Sequence, residues 1–327
     1  MLKIAGGENA NESFLPLIFL EVMEIELREQ DFAVGIDMTG RTRKEIAETL
    51  AKLFKTQTIY LSGKDHAWGA KDARGRVWRI GDNANITGSK GKEPCGEPAY
   101  RARLLSPKLA YEERKIWKHV LIALQKTGVQ TNSTCYLSCY VDGKEHNRQS
   151  LKNLLTFMYA REPFLLKALD MEETERARVR RPMLEQIRKL DCEETKDLSK
   201  LEELWYEGKN ESKNTGSWTQ EHALNLHALF HSGMIEFKMF RAALQPETVQ
   251  AYIDLSLGIS ALSITQRSAM FQEAKPVENE RFAMRTLLVR LGMIGEEFEE
   301  SRMVLTKPLE GNGAWRYGKK RRKEPER

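Results

Sequence analysis

A chain of 327 residues with 41% hydrophobic and 30% charged content is long enough to bury a full core, in one large domain or two smaller ones. No apolar run approaches the roughly 20 residues of a membrane span, and the most apolar early segment, 14–25, is broken by Pro16, Glu21 and Glu24 and lies too far from Met1 to read as a secretory signal. A soluble protein of the cytosol without membrane contact is the expectation. The net charge is +5, from 52 basic and 47 acidic residues, and residues 316–327, with seven basic and two acidic side chains, account for all of it, so the remaining body is neutral.

In chain order, residues 1–13 are small and polar. A strand is predicted at 32–38, with Val34, Ile36 and Met38 on one face and Gly35 and Asp37 on the other. Thr42 and Glu45 form a capping box ahead of a helix whose apolar stripe is Ile46, Leu50, Leu53 and Phe54. Residues 60–86 read as a β-meander with a turn at 72–75, 88–98 as a Gly-, Pro- and Lys-rich loop, and 101–105 as another short alternating strand. A helix is expected over 111–126, on Ile116, Trp117, Val120, Leu121 and Leu124.

The next strand, 134–141, puts Cys135, Leu137, Cys139 and Val141 on one face and Tyr136, Ser138 and Tyr140 on the other. Cys135, Cys139 and His146 admit a metal site, but no second Cys or His pair follows at zinc spacing, and reduced core thiols are the simpler reading. Ser150 is the expected cap of a helix carrying Leu151, Leu154, Leu155 and Met158. The stretch 171–215 is charge-dense and runs into a polar, Gly-containing excursion at 207–216. A strand at 234–240 is expected to place Glu236, Lys238 and Phe240 on one side, and Pro246 opens a helix reaching about residue 263. Short, strictly alternating strands interspersed with helices suit an α+β fold, an antiparallel sheet with helices on one face, better than a buried parallel sheet.

Along these elements run Met38-Thr-Gly-Arg-Thr-Arg-Lys44, Gly75-Arg-Val-Trp-Arg79, Leu104-Leu-Ser-Pro107, Asn132-Ser-Thr-Cys135, the stretch from Val141 to Leu151, Ala223-Leu-Asn-Leu-His227 and Ile235-Glu-Phe-Lys-Met-Phe240. In this order they resemble the amidoligase family, ATP-dependent carboxylate–amine ligases similar to glutamine synthetase. The resemblance implies an antiparallel sheet curved into a funnel, with helices on its outer face and Mg-ATP and the substrate carboxylate held inside. It also implies the chemistry: ATP phosphorylates a carboxylate, and an amine displaces phosphate from the acyl phosphate. That chemistry needs several carboxylates for Mg²⁺ and cationic groups for the transferred phosphoryl.

The resemblance also marks where this chain departs. The two glutamates of the family's first strand fall on Gly35 and Asp37, and its next Asp falls on Asn83, one residue from Asp82. The Glu before the Ser-Pro segment is replaced by Arg103, and a His-x-His pair by Ser138 and Tyr140. Glu236 and Lys238 stand for the Glu-Phe-Arg strand, while the Thr-Leu-His-x-Gly segment becomes 243–247, including Gln245. Gly35, Asp37, Asn83, Arg103, Ser138, Tyr140, Glu236, Lys238 and Gln245 are therefore the expected remnant pocket.

With Asp37 and Glu236 as the inward carboxylates and Arg103 and Lys238 as new cations, a salt-bridged plug without metal or cofactor is the expectation. The expected function is that of a pseudoenzyme, phage or mobile-element encoded, that binds or inhibits another macromolecule, with a protein as its partner. The alternative is an active ligase, with Asp37, Asp82 and Glu236 on Mg-ATP and Lys238 on phosphate. A third reading is weak nucleic-acid contact through the tail residues Lys319, Lys320, Arg321, Arg322 and Lys323. The expected organisation is an N-terminal extension over 1–27, a ligase-like domain over 28–310 and a disordered basic tail over 311–327.

Overall fold

In the computed structural model, residues 27–63, 66–172, 187–188, 198–206, 222–267 and 275–314 are described. The readings of residues 1–13 and 207–216 and of Lys319 to Lys323 fall outside them. The strands are β1 (Phe32–Met38), β2 (Thr58–Ser62), β3 (Ala67–Lys71), β4 (Val77–Gly81), β5 (Ser89–Lys90), β6 (Glu93–Pro94), β7 (Ala102–Leu105), β8 (Tyr136–Asp142), β9 (Leu224–Asn225) and β10 (Met234–Arg241). Eight of them form one sheet in the order β2-β3-β4-β7-β1-β8-β10-β9, with every described pairing antiparallel. β5 and β6 pair separately, so the expected loop at 88–98 contains a small hairpin.

The helices are α1 (Arg43–Phe54), α2 (Ile116–Lys126), α3 (Arg148–Ala168), α4 (Leu198–Trp205), α5 (His227–Ser232), α6 (Pro246–Thr265), α7 (Glu280–Arg290) and α8 (Glu299–Thr306). The capping box at α1 is present in full, with Thr42 accepting from the Glu45 N–H and Glu45 accepting from Thr42. At α3 the expected cap moves. Asn147 is the N-cap and Ser150 is the third helical residue, because the two exchange bonds reciprocally and Asn147 alone has extended backbone angles. The expected helix at 111–126 begins as a 3-10 turn over Tyr111–Lys115.

The helices meet the sheet through the even positions of β1. Val34, Ile36 and Met38 are fully buried, and Ile36 lies opposite Leu104 of β7 and Leu137 of β8. Trp78 of β4 fixes α1 and α2 over this face, with Phe54 at 5.3 Å and Trp117 at 5.1 Å between ring centroids. Removing such an indole costs about 3–5 kcal/mol. α6 packs against β8 and β1, α2, α3 and α8, and is accordingly buried on nearly all sides. Gly258 lets it approach the end of α7, since a Cβ there would lie 2.9 Å from the Leu291 carbonyl oxygen.

One register feature changes a predicted face. β10 is opposed residue by residue to β8 through Glu236↔Tyr140 and Phe237↔Cys139, and then slips by one residue before Phe240↔Leu137. The bulge turns Phe240 away from Glu236 and onto α6, where it stacks on Tyr252 with centroids 4.4 Å apart. Among the described residues no helix is long and apolar enough to cross a membrane.

Candidate functional site

The odd positions of β1 and their neighbours build a polar cluster on the sheet face opposite Ile36. Asp37 lies directly across from Arg103, Gly35 across from Ser138, and Glu236 across from Tyr140 on one side and Asn225 on the other. Cross-strand pairing along five adjacent strands, β7, β1, β8, β10 and β9, therefore converges these side chains without any loop to place them.

Arg103 is the centre of the cluster. It donates to Asp37 Oδ1 at 2.8 Å, to Ser138 Oγ at 3.0 Å and to the Tyr140 hydroxyl at 3.0 Å. Its Nη2 is also 3.8 Å from Glu236 Oε1. The guanidinium occupies space that Gly35 leaves open: a Cβ on residue 35 would sit 2.8 Å from Nη2 and 3.1 Å from Cζ. Gly35 and Arg103 are complementary in shape.

Both carboxylates are fully engaged. Asp37 also accepts from Asn83 Nδ2 at 3.1 Å and, through Oδ2, from the Tyr136 backbone N–H at 3.2 Å. Glu236 accepts from the Tyr140 hydroxyl at 2.8 Å and from Asn225 Nδ2 at 2.6 Å. Burial works against the Glu236 charge, but Arg103, then Lys238, Ser138 and Tyr140 outweigh it and hold the carboxyl below its usual value. Burial likewise opposes the Arg103 charge, yet the Tyr140 oxygen and the Asp37 and Glu236 carboxylates keep the guanidinium firmly protonated. The Tyr140 hydroxyl is pushed well above its ordinary value by burial and by Glu236, so it stays a neutral donor.

Of the residues singled out from the sequence, the structure brings Gly35, Asp37, Asn83, Arg103, Ser138, Tyr140 and Glu236 together, with the half-buried Lys238 acting on Glu236 through its charge. Asp82 turns elsewhere. Its carboxylate is held by Arg101 at 3.1 and 2.8 Å and by Arg43 at 3.4 Å. Gln245 is exposed at the N-cap of α6. Among the described residues no three acidic, imidazole or thiol groups converge as a metal cluster would require.

Cys135, Cys139 and His146 have structural surroundings. Both thiols are free and buried, and burial raises Cys135 to about 11. His146 meets Ser150 Oγ at 3.1 Å through Nδ1 and Ser260 Oγ at 2.8 Å through Nε2, so both ring nitrogens are taken.

Sequence reasoning missed the layer behind Glu236. Asn225 holds the glutamate with its amide and accepts from the His227 N–H at 2.8 Å with its oxygen. The Nδ1 of His227 in turn meets the Tyr206 hydroxyl from the end of α4. The available signal was the Ala223-Leu-Asn-Leu-His227 run, where one polar residue stands in an otherwise apolar two-residue strand.

The site residues all lie within one recognisable family segment. The family model described as "Putative amidoligase enzyme" matches residues 28–260. No curated protein matches the chain.

Proposed function

Because the chain belongs to the amidoligase family, we propose that it keeps the family's ligase-like body, with its sheet as a glutamine-synthetase-like funnel, and uses it without catalysis. In this reading it is a module that binds or inhibits another macromolecule, of phage or mobile-element origin, with residues 28–310 as the body and the basic tail as an appendage.

The single observation that carries the proposal is Arg103 lodged between Asp37 and Glu236 in the space above Gly35. Mg-ATP, the cofactor of the family, does not fit the donor set. Every carboxylate oxygen in the cluster already accepts a hydrogen bond, and Asp82 is committed to two arginines. A unit charge 4 Å from another at an effective dielectric of 20 feels about 4 kcal/mol, so a guanidinium opposes a dication by roughly twice that before screening. The same guanidinium offsets one of the two acid charges, and Lys238 acts on Glu236 against the other, which weakens the field a metal would need.

The test is turnover. An active member would form an acyl phosphate, which hydroxylamine traps as a hydroxamate with release of phosphate. Incubated with Mg-ATP, hydroxylamine and a panel of amino acids and small carboxylic acids, the protein is expected to release no phosphate above background. Turnover abolished by Asp37→Asn and Glu236→Gln would instead assign an altered ligase, with Lys238 as its phosphate contact.

A further inference from the structure

Arg161 and Arg290 line one cleft on the helical side of the fold, and among the described residues neither pairs with an acid. The cleft lies between α3 and α7, both of which pack on α6, and it is open to solvent, with a volume of about 420 Å³. That is within the range of about 300–1,000 Å³ typical of small-molecule sites. Its walls are Phe164 of α3 and Phe282 and Leu287 of α7, and Lys275 adds a third cation at the rim. The spacing follows from the helices: Arg161 and Phe164 lie three apart, and Phe282 and Arg290 eight apart on one face.

Two features separate this cleft from an ordinary surface groove. First, Glu280, the acid that opens α7, is already held by Lys167 Nζ at 2.5 Å and by the Glu310 N–H at 3.3 Å, so it does not serve the arginines. Second, Arg161 is drawn inward and stacks over Phe157, 4.7 Å from its centroid. There burial and then the charge of Arg290 both work against its own charge. Two guanidiniums left facing one apolar cleft are a cost in the free protein that an anion relieves. Guanidinium forks suit carboxylate and phosphate, and aromatic walls suit a flat apolar body.

We propose that this cleft is a binding site for a small organic anion, a carboxylate or phosphate carried on a flat apolar body. The site is separate from the strand cluster around Arg103, and its occupancy is independent of whether that cluster is catalytic.

Calorimetric titration of the full-length protein with 2-naphthoate, 1-naphthyl phosphate and the neutral 2-naphthamide tests it. Saturable binding of at least one anion is expected, with the amide at least tenfold weaker, and the two anions tell carboxylate from phosphate preference. In Arg161→Gln/Arg290→Gln the affinity for that anion should fall at least tenfold, while the melting temperature of the free protein holds or rises because a like-charge contact is lost. Should the double variant fold poorly, Arg290→Gln alone, at an exposed position, should weaken binding at least threefold. Equal binding of the amide, undiminished binding in the variants, or no binding of either anion at millimolar concentration overturns the proposal.

Discussion

A Cβ added to Gly35 would lie 2.8 Å from Arg103 Nη2, closer than such contacts occur in folded proteins. The two residues stand on neighbouring strands and fit as a cavity and its filling. The nearest guanidinium atoms are the far end of a flexible side chain, so the fork can give way, and the cost of its shift is the loss of its hydrogen bonds to Ser138 and Tyr140.

Gly35→Ala should therefore destabilise the protein by about 1–3 kcal/mol, as overpacking does. In an Arg103→Ala background the same change should cost far less. Urea denaturation of the four members of this double-mutant cycle measures the coupling, and strict additivity would mean that the two residues do not share that space.

Replacing Arg103 by Gln leaves Asp37 and Glu236 buried without their cation, and breaking such a pair costs about 3–5 kcal/mol at neutral pH. The pH dependence has a definite sign. Glu236 sits below its usual value in the folded protein, so its interaction with Arg103 stabilises above the unfolded carboxyl value and is lost as pH falls. The deficit of Arg103→Gln relative to wild type should thus be largest near pH 7 and shrink below about pH 4.5. A deficit independent of pH would assign the loss to packing alone.

His146 supplies an acid-sensitive element outside the site. Burial lowers it to about 4 from 6.5. The folded state then binds fewer protons than the unfolded state between those values, and stability is lost as pH falls through that window. His146→Gln should remove a slope of about 1.4 kcal/mol per pH unit there. Asp254, raised to about 6 by burial beside Ser301 and Arg114, works in the opposite sense, so it is not the source of this loss. Equal slopes for wild type and His146→Gln between pH 6.5 and 4 would contradict the assignment.

The positive tail is a separable charge. Residues 316–327 carry the whole net charge of +5. Deleting 318–327 should leave the melting temperature unchanged and abolish any salt-dependent retention on a polyanion column. Retention by the truncated protein would move the nucleic-acid reading onto the neutral body.

The sheet was legible because alternation is a local signal. Alternation separates Gly35 and Asp37, Ser138 and Tyr140, and Glu236 from the apolar faces of their own strands, the resemblance adds Arg103 and the side they share, and the ladder register brings them together. Alternation misplaces Phe240 because a β-bulge inserts one residue that the pattern cannot reveal. Ser150 reads as a cap because Asn147 and Ser150 are both capping residue types three apart, and only backbone angles separate them. Asn225 went unnoticed because a two-residue strand has no period. The fit of Arg103 over Gly35 is a relationship in space. The sequence holds both residues without the distance between them.

The most direct test of the central claim is calorimetric titration of the wild-type protein with a non-hydrolysable ATP analogue, with and without magnesium. With Arg103 between the two carboxylates, no magnesium-dependent heat is expected at millimolar nucleotide, and no magnesium-dependent rise in melting temperature. A ligand at 100 times its Kd would add about 2.7 kcal/mol to stability, which is readily seen. Saturable binding that requires magnesium and disappears in Asp37→Asn and Glu236→Gln would contradict the account and return the protein to the working ligases of its family.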